Sequence, residues 1–211
     1  MKHIKMLLLS LLAYGILGTI TVFVAENTPD MSVERQTLYD VIHEYVPHFP
    51  NPSIVTLMVS LSMIYTVLRW CLVDTRIVAV YFFALAILLA VRLFTFTMTQ
   101  TPPPNRLDDK WRVAHCKRTL LSHIGLNFRE IDDTCIDNMF SGHAVTTVGA
   151  MVIILLFSNS KIEKIVGSII ASAIAFMVIT SRLHYTADVV VGSALVIMLI
   201  PLIRIIIFTR T

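Results

Sequence analysis

The chain has 211 residues, of which 56% are hydrophobic and 15% are charged, with a formal net charge of +3 at pH 7. Soluble domains carry about 25% charged residues, so this composition excludes an ordinary water-soluble domain. The sequence has no run of five or more basic residues, which would be typical of a nucleic-acid partner. Its three cysteines are too few for a disulfide framework. The composition therefore indicates a protein of the lipid bilayer.

Six apolar runs separated by polar segments predict an all-α membrane protein with six transmembrane helices. A helix of about 20 apolar residues crosses the roughly 30 Å hydrocarbon core of a bilayer. The first run follows Lys2 and Lys5 in the manner of a signal peptide, but its length and poor cleavage site indicate an uncleaved anchor. The predicted spans are residues 6–25, 54–73, 77–98, 142–157, 165–181 and 185–208.

The charges between the spans predict the orientation of the chain. Lys and Arg dominate the N-terminus, the turns 74–76 and 158–164 and the C-terminal end. In the first polar loop, by contrast, five acidic residues face Arg35 alone. Since Lys and Arg in short loops mark the cytoplasmic side, we expect both termini in the cytoplasm and loops 26–53 and 99–141 on the exoplasmic side.

This topology divides the chain into three parts. The parts are an anchor helix at 1–25, the exoplasmic loop 26–53, and a five-helix membrane domain at 54–208 that includes the exoplasmic loop 99–141. Cys116 and Cys135 share the second exoplasmic loop, and whether they pair is left open.

Two clusters of polar residues lie where the fourth and sixth spans begin on the predicted exoplasmic side. The first is Cys-Ile-Asp-Asn-Met-Phe-Ser-Gly-His at 135–143, and the second is Ser-Arg-Leu-His-Tyr-Thr-Ala-Asp at 181–188. Ionisable groups at a membrane boundary are costly to place there and are commonly functional. Because the topology puts both clusters on one side of the bilayer, we expect them to meet across the bundle.

The histidines of these clusters predict phosphoryl transfer. His184 and Asp188 are four residues apart, which at a helix start places them on one face. A carboxylate that holds one imidazole nitrogen makes the other a better nucleophile, and His143 can protonate a leaving group. Both clusters lie at predicted helix N-termini, which favour phosphate. This phosphohistidine chemistry requires no metal and no cofactor, and the candidate phosphate clamps are Arg92, Lys117, Arg118 and Arg182.

Each of these features by itself also fits a structural role. Taken alone, Ser-Gly-His at 141–143 is more typical of an interfacial histidine at a helix cap, and His184 with Asp188 of a plain structural hydrogen bond. Arg92 inside the third span can equally pair with an acid or a carbonyl group. The predicted chemistry therefore rests on the combination of residues and not on a single motif.

Three segments together resemble one known family. Residues 135–143 and His-Tyr-Thr-x-Asp-Val-Val-Val at 184–191 resemble two motifs of the sphingomyelin synthase family, a branch of the lipid phosphate phosphatase (PAP2-like) superfamily. The segment 92–104, with its arginine, threonines and proline run, is similar to the third-span motif of that family. Members usually have Gly in place of Ile136 and His in place of Arg182, and these departures leave the donor head group open among choline, ethanolamine and inositol and leave the acceptor open as well.

The resemblance implies a catalytic triad of His143, His184 and Asp188. His184 would attack the phosphorus atom of a phospholipid, and His143 would act first as acid and then as base. From the residues and the resemblance together, the side chains expected to bind substrate or phosphate are those of Arg92, Asp137, Ser141, Arg182 and Tyr185. The aromatic candidates for enclosing a quaternary ammonium head group are Tyr39, Tyr45, Phe94, Phe96, Trp111 and Tyr185.

The resemblance further implies a phospholipid:ceramide head-group transferase, specifically a cholinephosphotransferase that makes sphingomyelin and releases diacylglycerol. Its expected partners are the lipid bilayer, a phosphatidylcholine or phosphatidylethanolamine donor, and a ceramide or diacylglycerol acceptor, in the Golgi or plasma membrane. The alternatives within the superfamily are a phospholipase C-type or lipid phosphate phosphatase activity and head-group exchange with diacylglycerol. A lipid-binding protein without catalysis is the alternative from another class, and assembly into a homo-oligomer is left open.

Overall fold

The structure is a computed structural model, and it describes residues 2–27, 38–99 and 140–209. Within these ranges the chain forms helices and no strand, which confirms the predicted all-α class. The helices are α1 (Lys2–Asn27), α2 (Val41–Tyr45), α3 (Pro52–Cys71), α4 (Thr75–Met98), α5 (Gly142–Phe157), α6 (Lys161–Thr180) and α7 (Thr186–Thr209). The candidate residues that lie outside the described ranges are Trp111, Cys116, Lys117, Arg118, Cys135, Ile136 and Asp137.

Five of the described helices are long and apolar enough to cross a membrane, namely α1, α3, α4, α6 and α7. α5 is also apolar but has only 16 residues. The chain is therefore an integral membrane protein with several spans. A sixth span and the cytoplasmic position of both termini stay predictions.

α5 lies at the centre of the bundle, where it packs against α3, α4, α6 and α7, while α1 packs along α4. Nine of the 16 residues of α5 are buried. The packing is close, since a Cβ built on Gly149 would approach side-chain atoms of Tyr81 and Val196 to 3.1 and 3.2 Å. A helix that other helices surround buries every face, which explains the continuous apolar sequence of α5.

Polar groups of different helices meet at the two ends of the bundle. At one end the Glu163 carboxylate accepts hydrogen bonds from the Tyr65 hydroxyl at 2.6 Å and from Nε of Arg69 at 3.3 Å, which ties α6 to α3. The opposite end holds both candidate catalytic histidines. We name it the histidine end, and it comprises residues 38–56, 140–144 and 180–188.

The connection between α5 and α6 is shorter than predicted. α6 begins at Lys161, so the predicted turn 158–164 shrinks to residues 158–160. The Ser160 side chain caps the helix by accepting a hydrogen bond from Glu163 N at 3.2 Å. Because of this cap the helix begins within the polar segment 158–164, whose charged residues led to the prediction of a turn.

The predicted exoplasmic loop 26–53 contains a short helix, α2. Its N-cap is Asp40, whose carboxylate accepts hydrogen bonds from Ile42 N at 2.9 Å and from His43 N at 3.4 Å. α2 packs against α6 at the histidine end. The described part of this loop, from residue 38 onwards, is therefore ordered against the bundle and is not a simple connection.

Candidate active site

The two candidate histidines face each other at the histidine end. His143 is the second residue of α5, and His184 lies in the turn between α6 and α7. Their ring centroids are 5.7 Å apart. A hydrogen bond from Ser141 N to Asp188 O at 3.0 Å joins the two segments beside the rings. The structure thus brings the histidines together as the topology predicts, while their catalytic roles stay predictions.

A residue in the left-handed backbone conformation precedes each histidine segment. Phe140 has a φ of 30° and Arg182 has a φ of 56°. Non-glycine residues hold such conformations only where the surrounding structure imposes them, at a cost of about 1–3 kcal/mol each. Phe140 itself is 4% exposed, and Leu183, which follows Arg182, is 6% exposed, so both conformations lie in closely packed surroundings. Local backbone strain of this kind is common at active sites.

Asp188 lies in the first turn of α7 and is 8% exposed. Its carboxylate accepts a hydrogen bond from Tyr185 N at 3.3 Å, which braces the turn that carries His184. The premise that His184 and Asp188 share a helix face is wrong, because α7 begins at Thr186 and His184 precedes it. A direct hydrogen bond from Asp188 to the His184 ring stays a prediction.

Arg92 reaches the N-terminus of α5 from α4. A Cβ built on Gly142 would overlap Nη1 of Arg92, so the guanidinium group lies directly against the Cα atom of Gly142. The N-terminus of a helix presents backbone N–H groups and the positive end of the helix dipole. With Arg92 beside it, the start of α5 concentrates positive potential next to His143, an arrangement that can bind a phosphate group.

Three other candidate residues are held by contacts within the protein. Ser141 is fully buried, and its hydroxyl caps α5 by accepting a backbone N–H of that helix at 3.2 Å. The Tyr185 hydroxyl accepts a hydrogen bond from Leu38 N at 3.0 Å. Nη2 of Arg182 donates to the His43 carbonyl oxygen at 3.1 Å. These contacts give the three residues structural roles, and their roles in substrate binding stay predictions.

No sequence motif pointed to the first loop, yet it contributes to the site. Residues 38–50, which we name the strap, are the part of the histidine end that precedes α3, and Nε2 of His43 is 3.0 Å from a carbonyl oxygen of α6. Thr56 of α3 was likewise not predicted as a site residue, and its hydroxyl is 3.2 Å from Nε2 of His143. One sequence feature could have indicated this segment. Asp40 and His43 are polar residues on a loop that is predicted to lie on the same side of the membrane as the two histidine clusters.

Asp40 of the strap occupies the N-terminus of α7. Its Oδ2 accepts a hydrogen bond from Thr186 N at 2.6 Å, and its Oδ1 accepts one from the Thr186 hydroxyl at 2.8 Å. Burial opposes ionisation of Asp40, but the bonds from Thr186 and the nearby His43 outweigh it and hold the pKa of the carboxyl group below its ordinary value. The sequence predicted that phosphate could bind at this helix N-terminus, but the Thr186 N–H is already bonded to Asp40. The start of α5 is therefore the better anion site.

We expect Asp40→Ala to destabilise the protein, because it removes the cap of α2 and the contact that caps α7. Loss of one capping side chain costs about 1 kcal/mol, so the free energy of unfolding should fall by about 2 kcal/mol. Thermal unfolding of the purified protein in detergent measures the change. Glu44→Ala, which alters an exposed acid of α2, is the matched control. Equal melting temperatures for Asp40→Ala and the wild type would contradict the bracing role.

The strap should also loosen as the pH falls. Burial is the largest influence on His43, and together with the charge of Arg182 it lowers the pKa of the imidazole despite the attraction of Asp40. The unfolded chain then binds the proton more readily than the folded one. This contribution to stability is complete above the ordinary pKa of 6.5 and is lost as the pH falls through the folded pKa.

We therefore expect the melting temperature to fall between about pH 7 and pH 5, and to fall less in His43→Gln. Glutamine does not titrate, and its amide can still donate a hydrogen bond to α6. The measurement is the same thermal unfolding in detergent at a series of pH values. An equal fall in both proteins would show that His43 does not contribute to it.

An apolar cavity of about 260 Å³ opens beside Asp188 between α4 and α7. Its lining includes Val91, Phe140 and Val191. Val91 and Val191 are 40% and 48% exposed on the outer surface of the bundle. A hydrocarbon chain that entered this cavity from the bilayer would come within reach of Asp188.

The sequence of this region matches a known family. Residues 134–205 match the family model described as PAP2 superfamily C-terminal. This part of the chain is similar to the PAP2 superfamily C-terminal domain. The match includes His143, His184 and Asp188 and confirms the superfamily that the motifs indicate.

This chain also has curated relatives of similar sequence. It is 31% identical over 132 residues to phosphatidylinositol:ceramide inositolphosphotransferase 2 of Arabidopsis thaliana, covering 61% of this chain and 41% of the relative. Phosphatidylinositol:ceramide inositolphosphotransferase of Oryza sativa subsp. indica is 31% identical over 132 residues, covering 61% and 38%. Phosphatidylinositol:ceramide inositolphosphotransferase 3 of Arabidopsis thaliana is 30% identical over 131 residues, covering 60% and 43%. The matched part thus spans less than half the length of each relative.

Proposed function

We propose that this protein transfers the phosphorylated head group of a glycerophospholipid to ceramide and releases diacylglycerol, through a phosphohistidine at His184. The observation that carries the proposal is the 5.7 Å between the His143 and His184 ring centroids, within a PAP2 domain whose relatives are all named for transfer to ceramide. The reaction takes place on the exoplasmic side, because the charge distribution predicts that the histidine end faces away from the cytoplasm. The Golgi or plasma membrane is the corresponding compartment.

In the first half-reaction an imidazole nitrogen of His184 donates its lone pair to the phosphorus atom of the donor lipid. The bond between phosphorus and the diacylglycerol oxygen breaks, and that oxygen keeps the electron pair and takes a proton from His143. Arg92 and the backbone N–H groups at the start of α5 stabilise the charge on the phosphoryl oxygens. The products are diacylglycerol and a head group joined to His184 by a P–N bond.

In the second half-reaction the primary hydroxyl of ceramide attacks the same phosphorus atom. His143, now neutral, takes the hydroxyl proton, the P–N bond breaks, and its electron pair returns to the His184 ring. Asp188 stabilises the positive charge that the His184 ring carries while it is bonded to phosphorus. One phospholipid and one ceramide thus become one diacylglycerol and one phosphorylated ceramide, and His143 regains its proton.

We propose phosphatidylinositol as the first donor to test, because the relatives are named for it. Phosphatidylcholine, expected from the sphingomyelin synthase resemblance, is the second. Among the aromatic residues proposed to enclose choline, Tyr39 and Tyr45 are 74% and 77% exposed and Phe94 is 63% exposed. Tyr185 is buried, with its ring 5.9 Å from that of His43. The positions of these four residues do not favour an aromatic enclosure for a quaternary ammonium group. Recognition of a hydroxylated head group by polar residues fits them equally well.

The test is head-group transfer in liposomes that contain the purified protein. Phosphatidylinositol, phosphatidylcholine or phosphatidylethanolamine, each labelled in the head group, is supplied with and without ceramide. The proposal predicts labelled phosphorylated ceramide that forms only with ceramide present, together with an equal amount of diacylglycerol. Water-soluble labelled product formed regardless of ceramide would instead establish a hydrolase, and label moving to added diacylglycerol would establish an exchanger. Absence of turnover with all three donors would contradict the proposed function.

A further inference from the structure

The hydroxyl group of Thr56 is placed between a backbone carbonyl and a catalytic candidate. Thr56 lies in the first turns of α3, and its Oγ1 is 3.3 Å from Pro52 O, to which it donates. The same oxygen is 3.2 Å from Nε2 of His143 on α5. Thr56 therefore connects the ring of His143 to the backbone of a neighbouring helix.

The hydrogen atoms in this arrangement can be assigned by elimination. A carbonyl oxygen such as Pro52 O can only accept, so the bond to it uses the single hydroxyl hydrogen of Thr56. Threonine in a helix commonly donates to the carbonyl four residues earlier in this way. The hydroxyl oxygen is then left as an acceptor, and it can take a hydrogen bond only from a ring nitrogen that carries a proton. This arrangement favours the Nε2–H tautomer of His143.

This assignment holds through both halves of the proposed reaction. When His143 is the acid, both of its ring nitrogens carry protons, and Nε2–H donates to Thr56. When His143 is the base, it is neutral and needs a lone pair on the nitrogen that faces the substrate. With Nε2–H still held by Thr56, that lone pair is on Nδ1. A neutral hydroxyl also orients the ring without adding the negative charge that a carboxylate would bring.

We propose that Thr56 is a positioning residue that keeps His143 in the Nε2–H tautomer, so that Nδ1 exchanges the proton with the diacylglycerol and ceramide oxygens. This role rests on the proposed function of His143 as acid and base. Thr56 itself touches neither lipid. It acts by fixing the orientation of the His143 ring and the identity of the reactive nitrogen.

The kinetic test compares Thr56→Val with Thr56→Ser in the liposome assay. Valine keeps the shape of threonine and removes the hydroxyl. Loss of a group that orients a metal-bound histidine costs about 10- to 100-fold in activity, and we take the same scale for His143. We expect kcat to fall by about that factor in Thr56→Val, with KM unchanged, and to return to within about threefold of wild type in Thr56→Ser. A Thr56→Val kcat equal to wild type, or a Thr56→Ser kcat as low as that of Thr56→Val, would overturn the proposal.

Thr66→Val is the matched control for the kinetic test. Thr66 is a buried threonine of the same helix, and its hydroxyl donates to Ser62 O at 2.9 Å. It has the same kind of bond to its own helix but lies toward the end remote from the histidines. Thr66→Val should therefore leave kcat within about twofold of wild type. A loss as large as that of Thr56→Val would mean that helix distortion, and not the His143 contact, explains the kinetic effect.

A spectroscopic test separates this proposal from the proposed function. In protein labelled with nitrogen-15 in its histidines, the ring nitrogen shifts of His143, assigned with His143→Gln, report the tautomer directly. We expect protonated Nε2 and unprotonated Nδ1 in the neutral wild-type ring, and a mixture of tautomers in Thr56→Val. An Nδ1–H tautomer in the wild type would overturn the proposal even if the protein transfers head groups. The predicted tautomer in a protein without transfer activity would leave Thr56 as an orienting residue and remove only the proposed reaction.

Discussion

Replacement of His184 by alanine is expected to reduce head-group transfer by about 10⁴-fold or more, to the background of protein-free liposomes. Alanine has no nucleophile, so the bond between phosphorus and the protein cannot form. His143 would remain in place, but a proton donor has no leaving group to protonate without the attack by His184. The loss should appear with every donor lipid that the wild type accepts.

The covalent intermediate provides a second measurement on the same variant. Donor lipid with radioactive phosphorus, supplied without ceramide, should label the wild-type protein through a bond that is stable to alkali and labile to acid. His184→Ala should not be labelled. His48→Ala, which changes an exposed histidine of the strap, is the control and should be labelled as the wild type is. Labelling of His184→Ala would assign the nucleophile to another residue.

Because His184 is 4% exposed, His184→Asn is the companion variant. Asparagine keeps a polar side chain in the turn but cannot act as the nucleophile of the proposed cycle. Both variants should elute from size-exclusion chromatography as the wild type does. Transfer by folded His184→Asn at more than about one-tenth of the wild-type rate would refute the phosphohistidine mechanism.

Replacement of Gly142 by alanine should lower the rate of head-group transfer without loss of stability. The added Cβ would overlap Nη1 of Arg92, and the flexible guanidinium group is the part that can move away. Displacing a charge-stabilising donor from a phosphoryl group costs about 10²-fold in kcat. Alanine is favoured over glycine in helices by about 1 kcal/mol, so the melting temperature should stay equal or rise. Transfer in liposomes and thermal unfolding in detergent measure the two effects.

Two further variants show whether the loss in Gly142→Ala acts through Arg92. Gly15→Ala is the control, since a Cβ built on Gly15 meets no atom within 4 Å, and it should transfer head groups at the wild-type rate. The double variant Gly142→Ala/Arg92→Ala should be no slower than Arg92→Ala alone, because both changes remove the same contact. Additive losses in the double variant would show that Gly142 and Arg92 act separately.

Much of the site could be predicted because its residues stand in short motifs. His143, His184 and Asp188 lie where two apolar runs begin, and an apolar run long enough to span a bilayer is a local property of the sequence. Once the spans are known, their number and direction place both motifs on one side. That argument predicted the meeting of the two histidines, which the structure shows at 5.7 Å between ring centroids.

The details of the second motif could not be predicted in the same way. The spacing of His184 and Asp188 suggests a shared helix face, but α7 starts only at Thr186. Arg182 in a left-handed conformation, with φ of 56°, directs the chain into a turn before the helix begins. Left-handed conformations of residues other than glycine depend on the surrounding packing, and local propensity does not predict them.

By itself the sequence determined that this is an integral membrane protein of helices, which residues form its two histidine motifs, and which superfamily those motifs resemble. Only the tertiary structure decided which residues brace those motifs. Asp40 bonds to Thr186 across 146 positions of the chain, and Thr56 contacts His143 across 87. Such contacts arise when helices pack and bring distant side chains together, so they have no period or spacing in the sequence. Local apolar runs are sufficient to predict where helices form, whereas the partners of a polar side chain depend on the whole arrangement of those helices.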